Sequence, residues 1–338
     1  MALIYKVDKE NPDIEVLKKA AQVLEKGGLV AFPTETVYGL GADALNPEAV
    51  KKIFIAKGRP PDNPIIVHVG KKEQVYSLTE NVPSIAEKLM EEFWPGPLTL
   101  IFYKSNLVDD VVTAGSPKVG IRQPMNKVAL KLLEVFGKPI AAPSANVSGR
   151  PSPTKAEHVI EDLEDKIDII IDGGDVNFGV ESTVLDITTD TPIIYRPGAC
   201  PKEEIERVIG KKVMVWNKEK SKEDVPSPGL KYRHYAPKVP LYIVEEFNEI
   251  WQNKINDWLK EGKKVGVLVS KENENLYSDK IKKYVIGSRK NLTEIALNLF
   301  FYLRKLEKEV DIIISESFPE EGLGLAVMDR LRRAAGEK

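Results

Sequence analysis

The 338-residue sequence predicts an α/β protein in two domains. An N-terminal domain over 1–208 would be built on one twisted, open, mixed sheet. A smaller C-terminal Rossmann-like parallel α/β domain would occupy 239–338, with a linker over 209–238 between them. Three observations predict this. The chain is long for a single core, so two domains are the natural division. Over the first 200 residues, short apolar runs alternate with amphipathic stretches in an order that is neither strictly βαβα nor all-β. From 239 onward strands and helices follow each other in turn, the pattern of a small parallel sheet.

In the first domain, residues 28–32 read as a strand and 47–57 as a helix with Pro47 in its first turn. Strands follow at 65–69, 98–103, 119–122, 140–142, 167–171, 183–187 and 193–195, with helices at 85–93 and 155–163. Thr154 is placed to cap the 155–163 helix. Residues 209–238 break the pattern with Pro-rich and charged composition, including Val-Pro-Ser-Pro-Gly at 225–229. The segment 231–237, Lys-Tyr-Arg-His-Tyr-Ala-Pro, holds two tyrosines, a histidine and two basic residues, an unusual content for a spacer. The second domain reads as strands at 241–244, 265–269, 284–286 and 312–315, with helices at 250–259, 292–306 and 323–333.

Composition narrows the class. A hydrophobic fraction of 42% and a charged fraction of 30% are those of a water-soluble globular chain. No apolar run reaches bilayer length, and the first residues lack a basic stretch followed by an apolar core. Cys200 is the one cysteine, so no internal disulfide or cysteine-based metal site can form. A cytoplasmic protein is expected. Residues 1–210 carry 24 Lys+Arg against 31 Asp+Glu, a net −7. That balance disfavours the first domain as a general binder of phosphate backbones.

The residues able to carry chemistry cluster where strands meet loops, the usual seat of binding groups on an α/β scaffold. Pro33-Thr34-Glu35-Thr36-Val37-Tyr38-Gly39-Leu40-Gly41 offers hydroxyls, a carboxylate and glycines that could wrap a polar ligand; alone it is equally a turn capped by threonines. Lys57-Gly58-Arg59 follows a helix, and in an extended segment both cations would project the same way and could clamp phosphate. The competing reading is a solvated helix end. His68 lies in an apolar strand, Arg122 ends one, and Ala142-Pro143-Ser144-Ala145-Asn146-Val147-Ser148-Gly149 leads from a strand into a small-residue loop suited to phosphate. Ser182-Thr183 and Arg196 stand at further junctions. There is no P-loop, nucleophile elbow or zinc spacing, so positioning and charge stabilisation fit better than covalent catalysis.

Taken together, Pro33–Leu40, the Lys57/Arg59 pair and the Ser144/Asn146 pair resemble the YrdC-type threonylcarbamoyl-AMP synthases. The linker with His234-Tyr235-Ala236-Pro237 and the Rossmann-like tail resemble the long, two-domain version. The resemblance implies that L-threonine, bicarbonate or CO2, and ATP give threonylcarbamoyl-AMP and pyrophosphate. It further implies that a separate transferase complex uses the product to modify tRNA at position 37. Lys57 and Arg59 would be the catalytic cations. Lys57, Arg59, Ser144, Asn146, Arg196 and Tyr235 would bind the nucleotide, and Thr34, Tyr38, His68, Arg122, Ser182 and Thr183 would shape the threonine site. Mg2+ would arrive with ATP rather than in a protein site. The linker would close as a lid. A monomer with at most weak tRNA affinity is expected. A nucleic-acid-binding module and an inactive nucleotide-binding relative are the rival readings, and the tail's Gly322-Leu323-Gly324 admits either a ligand-binding or a docking role.

Overall fold

A computed structural model describes residues 1–217 and 234–336. The chain divides into two units. The first takes in Met1–Ser148, Pro153–Asn177 and the described chain from Glu181 to Asn217. The second takes in Gly149–Ser152, Phe178–Val180 and the described chain from His234 onward. Among the described residues no helix is long and apolar enough to cross a membrane.

Among the described residues the first unit has eleven strands: β1 (Leu3–Lys6), β2 (Val30–Phe32), β3 (Gly39–Asp43), β4 (Val67–His68), β5 (Leu98–Tyr103), β6 (Lys118–Arg122), β7 (Ile140–Ala141), β8 (Ile169–Asp172), β9 (Thr183–Asp186), β10 (Ile193–Arg196) and β11 (Met214–Val215). They form one sheet in the order β1-β8-β2-β3-β7-β4-β6-β5-β9-β10-β11. Parallel pairs such as β4 with β6 mix with antiparallel pairs such as β5 with β6. Its helices are α1 (Ile14–Glu25), α2 (Pro47–Lys57), α3 (Val75–Leu78), α4 (Ser84–Phe93), α5 (Asp110–Thr113), α6 (Lys127–Phe136), α7 (Ala156–Leu163) and α8 (Lys202–Ile209).

Local chemistry explains the element boundaries. In α1, Leu17, Ala20, Ala21 and Leu24 fall on one buried stripe, and Asp13 caps the start by accepting from the Glu15 N–H. That stripe packs with Val128, Ala129, Leu132 and Leu133 of α6 against Val30, Phe32, Ile169 and Ile171 of the sheet. Helix α2 starts at Pro47 behind an Asn46 cap and ends at Gly58, whose φ of 59° suits glycine.

Three sequence expectations need correcting. Residues 39–43 form strand β3 rather than part of a loop. Glycine is poor strand former by propensity, but a Cβ on Gly41 would lie 2.7 Å from Ile140 Cγ2 and 2.8 Å from Phe32 Cε1, so close strand packing requires it there. Helix α7 is not capped by Thr154; its N-cap is Lys155, and the Thr154 N–H donates to His158 Nδ1 one turn along. The stretch with linker composition contributes β11, which pairs in parallel with β10 through Ile193 and Met214. Residues 218–233, including the Val-Pro-Ser-Pro-Gly run and Lys231-Tyr232-Arg233, lie outside the described residues.

In the second unit β12 (Leu241–Val244), β13 (Val265–Ser270), β14 (Lys282–Gly287) and β15 (Ile312–Glu316) form an all-parallel sheet ordered β12-β15-β13-β14. Helices α9 (Glu249–Lys260), α10 (Leu292–Leu306) and α11 (Leu323–Ala335) follow β12, β14 and β15, while β13 runs to β14 through a short 3-10 turn at Glu274–Leu276. One core gathers Val244, Ile255, Val265, Val267, Val269, Ile312 and Ile314. The near-continuous apolar runs of β13 and β15 are what a parallel sheet covered by helices calls for.

Candidate active site

The Pro33–Gly41 and Ala142–Gly149 motifs are joined by their backbones. The Tyr38 carbonyl accepts from Ala145 N–H, the Leu40 N–H donates to Pro143 O, and Gly39 bridges Ser144. Within the turn, the Thr34 hydroxyl donates to Val37 O at 2.6 Å, lies 2.8 Å from the Thr36 hydroxyl, and accepts from the N–H groups of Thr36 and Val37. Thr34 therefore shapes its own turn. Tyr38 is fully buried and its hydroxyl donates to Gly174 O at 2.7 Å. Burial, reinforced by the nearby Asp172 carboxylate, raises its pKa above the ordinary phenol value, so it is a neutral donor.

Lys57 ties a third motif to these two. It is the last residue of α2, and its ammonium donates to the carbonyls of Ser144 and Asn146. In return the Ser148 N–H donates to Lys57 O. The expected extended Lys57-Gly58-Arg59 geometry is not present, because Gly58 turns the chain left-handed at the helix end. Arg59 instead lies against the following turn, donating to Asn63 O at 3.2 Å and Pro64 O at 2.8 Å. Both cations are more than nine-tenths buried. Asn146 Nδ2 donates to Val147 O, bracing the same loop.

Arg122 forms the link to a second group of loops. At the end of β6 its guanidinium donates to Glu35 Oε1 at 2.6 Å, Thr36 Oγ1 at 3.0 Å and Gly96 O at 3.1 Å. The other oxygen of Glu35 accepts from Met125 N–H at 3.0 Å. Glu35 is 1% exposed, so this is a buried, multiply bonded ion pair. The sequence shows Glu35 only as one carboxylate in a turn; its partner lies 87 residues away, too far for spacing to reveal. His68 sits beside Arg122 in register across β4 and β6. Full burial and then the Arg122 charge push its pKa down to about 3, so it is a neutral imidazole at physiological pH.

The second group continues through Ser182 and Arg196. Arg196 donates to Ser182 O at 3.1 and 2.9 Å and to Ser182 Oγ at 3.1 Å, and that hydroxyl lies 2.8 Å from Thr99 Oγ1. The Thr183 hydroxyl faces elsewhere: it pairs with both backbone groups of Cys200. Burial raises the Cys200 thiol to about 12, which leaves it unreactive. Tyr235 belongs to the second unit, with its ring stacked 5.4 Å from Phe300 and Arg330 5.2 Å from its centroid. It has φ 63°, an uncommon conformation for a residue with a side chain.

Of the residues expected in the site, the structure brings Thr34, Tyr38, Lys57, Ser144 and Asn146 into one bonded cluster. Arg122 and His68 lie adjacent, and Ser182 with Arg196 forms a neighbouring cluster bound to Thr99. Asn63 Nδ2 and Gln123 Oε1, next to Arg59 and Arg122 respectively, are buried without a hydrogen-bond partner among the described residues. Buried groups in that state suit a polar ligand.

Comparison with known proteins supports the same reading. The Sua5/YciO/YrdC family model, described as Telomere recombination, matches residues 22–198, and the threonylcarbamoyl-AMP synthase C-terminal domain matches 200–336. The threonylcarbamoyl-AMP synthase of Pyrococcus abyssi is 49% identical across 95% of this chain and 94% of its own. That of Bacillus subtilis is 50% identical across 95% and 93%. The structure of P. abyssi Sua5 complexed with L-threonine aligns at a TM-score of 0.92 and 47% identity, covering 99% of this chain and 98% of that one. E. coli YciO aligns at 0.55 and 27% identity, covering 59% and 96%. The chain belongs to the two-domain Sua5 family of threonylcarbamoyl-AMP synthases.

Proposed function

We propose that the buried cations and hydroxyls of the first unit bind ATP and L-threonine and carry the family's reaction as follows. The amine of threonine adds to the carbon of CO2 and loses a proton, or adds to bicarbonate with loss of water, giving a carbamate. A carbamate oxygen attacks the α-phosphorus of ATP, the bond to the bridging oxygen breaks, and pyrophosphate leaves with that electron pair. The product, threonylcarbamoyl-AMP, serves a separate tRNA-modifying transferase. Lys57 and Arg59 offset the charge that gathers on the phosphoryl oxygens. Ser144, Asn146 and Arg196 hold the nucleotide. Arg122 meets the threonine carboxylate, with Glu35 and Thr36 fixing its guanidinium. Neutral His68 and Tyr38 line the amino acid without adding charge.

One observation carries this reading most: the Lys57 ammonium holds the Ser144-Asn146 loop, so cation and phosphate-binding loop act as a unit. No three His, Cys, Asp or Glu side chains gather to hold a metal among the described residues. Mg2+ would arrive with the nucleotide, where it would offset phosphate charge.

The test is pyrophosphate release from ATP with and without threonine and bicarbonate, alongside mass spectrometry of the adenylate. Release that requires both substrates, with the threonylcarbamoyl-AMP mass, supports the proposal. Release indifferent to threonine defeats it. Arg59→Ala is expected to lower turnover by at least ~100-fold, as removal of one transition-state donor does.

A further inference from the structure

The parallel sheet of the second unit has a ligand-site topology that nothing in the first unit's chemistry uses. In the order β12-β15-β13-β14, the chain leaves β13 toward β14 on one side. It leaves β15 on the other side, toward α11, which packs on β12. The carboxyl ends of β15 and β13 are therefore the point where connections diverge, and such points are where open parallel sheets bind ligands. Glu316 ends β15 and Ser270 ends β13.

The groups there are buried and incompletely satisfied. Glu316 is 4% exposed and accepts from the Ser270 N–H at 3.1 Å. Ser270 is fully buried, yet its Oγ has no hydrogen-bond partner among the described residues. The hydroxyl of Tyr277, a residue 3% exposed, has none either. Tyr277 lies in the electrostatic reach of Glu316 and Arg289: burial and then the carboxylate raise its pKa, and the guanidinium opposes them. Its ring packs 4.5 Å from that of Phe247. Arg289, one-third exposed, adjoins the carboxylate, with Nη1 donating to Ser317 O at 2.8 Å and lying 3.5 Å from Glu316 Oε2. Two orphaned buried hydroxyls, one on the residue whose N–H donates to Glu316 and one within electrostatic reach of that carboxylate, are costly unless something pairs with them.

We propose that this switch point binds a phosphorylated ribose-type ligand. Adjacent ligand hydroxyls donate to Glu316 and pair with Ser270 Oγ and the Tyr277 hydroxyl, and Arg289 meets the phosphate. Hydroxyls of a diol match this set because each can both donate and accept, as Ser270 and Tyr277 require. A carboxylate at a strand end that takes ribose hydroxyls is a recurring solution on this type of sheet.

The test titrates the full chain with ribose 5-phosphate by calorimetry, with L-threonine and a non-cleavable ATP analogue present to occupy the first unit. One saturable site is expected, weakened at least ~10-fold by Tyr277→Phe or Ser270→Ala and equally by substituting 2-deoxyribose 5-phosphate as ligand. Thermal melts of both variants without ligand check that they fold; deleting an orphaned hydroxyl should leave them as stable as the parent. Free ribose binding as tightly as ribose 5-phosphate would remove the role of Arg289. Absence of saturable binding up to about 10 mM, or binding that ignores both substitutions, overturns the proposal.

Discussion

At the scale of single residues, the Glu35–Arg122 pair joins the Pro33–Gly41 turn to the end of β6. Both groups are buried, so either is stable only while the other is present. Glu35→Ala is expected to destabilise the protein by about 3 kcal/mol in urea unfolding, and Glu35→Gln by less, because the amide still accepts from Arg122. Equal losses from both substitutions would show that the charge, not the hydrogen bonding, holds Arg122. His68 makes a separate prediction. Its pKa falls from 6.5 in the unfolded chain to about 3 in the fold, so the unfolded state binds the extra proton between those values. The stability associated with neutral His68 is fully present above pH 6.5 and is lost as pH falls toward 3. Between pH 7 and pH 5 the loss is about 2 kcal/mol, and His68→Gln should remove that part of the pH dependence in parallel denaturant titrations.

At the scale of elements, the sequence reveals some pieces and hides others for identifiable reasons. Helix α10 and strands β5 and β12 occupy the residues their periodicity indicates, because each buries one regular face or run. Strand β3 is hidden because Gly39 and Gly41 carry no side chain from which to read alternation. The need for them lies in the approach of Phe32 from the neighbouring strand β2 and of Ile140 from β7, about a hundred residues away. Gly41→Ala should therefore cost about 2 kcal/mol in a thermal or denaturant melt through overpacking, although alanine favours a strand no less than glycine; an unchanged melt would mean that β3 can shift to make room. The site is legible in a similar, partial way. Lys57, Arg59, Ser144 and Asn146 stand out as residue types in loops. That Lys57 serves the backbone of the Ser144-Asn146 loop is a tertiary fact that no local spacing carries. The Thr183 hydroxyl, a ligand-facing candidate from sequence, is taken up by Cys200, and only the fold discloses that.

At the scale of the molecule, each unit has its own sheet and core, but membership does not follow the chain. Gly149–Ser152 and Phe178–Val180 belong with the second unit although the residues flanking them belong to the first. Within the second unit, Arg304 donates to Pro151 O at 2.6 Å, and Glu307 accepts from Arg150 at 2.6 Å and from the Lys238 N–H at 2.8 Å. Glu307→Ala should lower stability by about 3 kcal/mol, since it removes a buried carboxylate that accepts from both Arg150 and the Lys238 N–H, and a urea melt would read the loss. Deleting 239–338 would strip the same partners from residues 149–152, which begin three positions after Asn146.

The interleaved membership also bears on how such a protein can be recombined. A single crossover between two relatives, placed anywhere in the linker, would give a chimera whose second unit is assembled from both parents: its sheet from one, and the Gly149–Ser152 and Phe178–Val180 segments from the other. Exchange that keeps the second unit intact needs three grafts at once. The boundary a cloner or a genome would cut at is therefore not the boundary along which this molecule is organised.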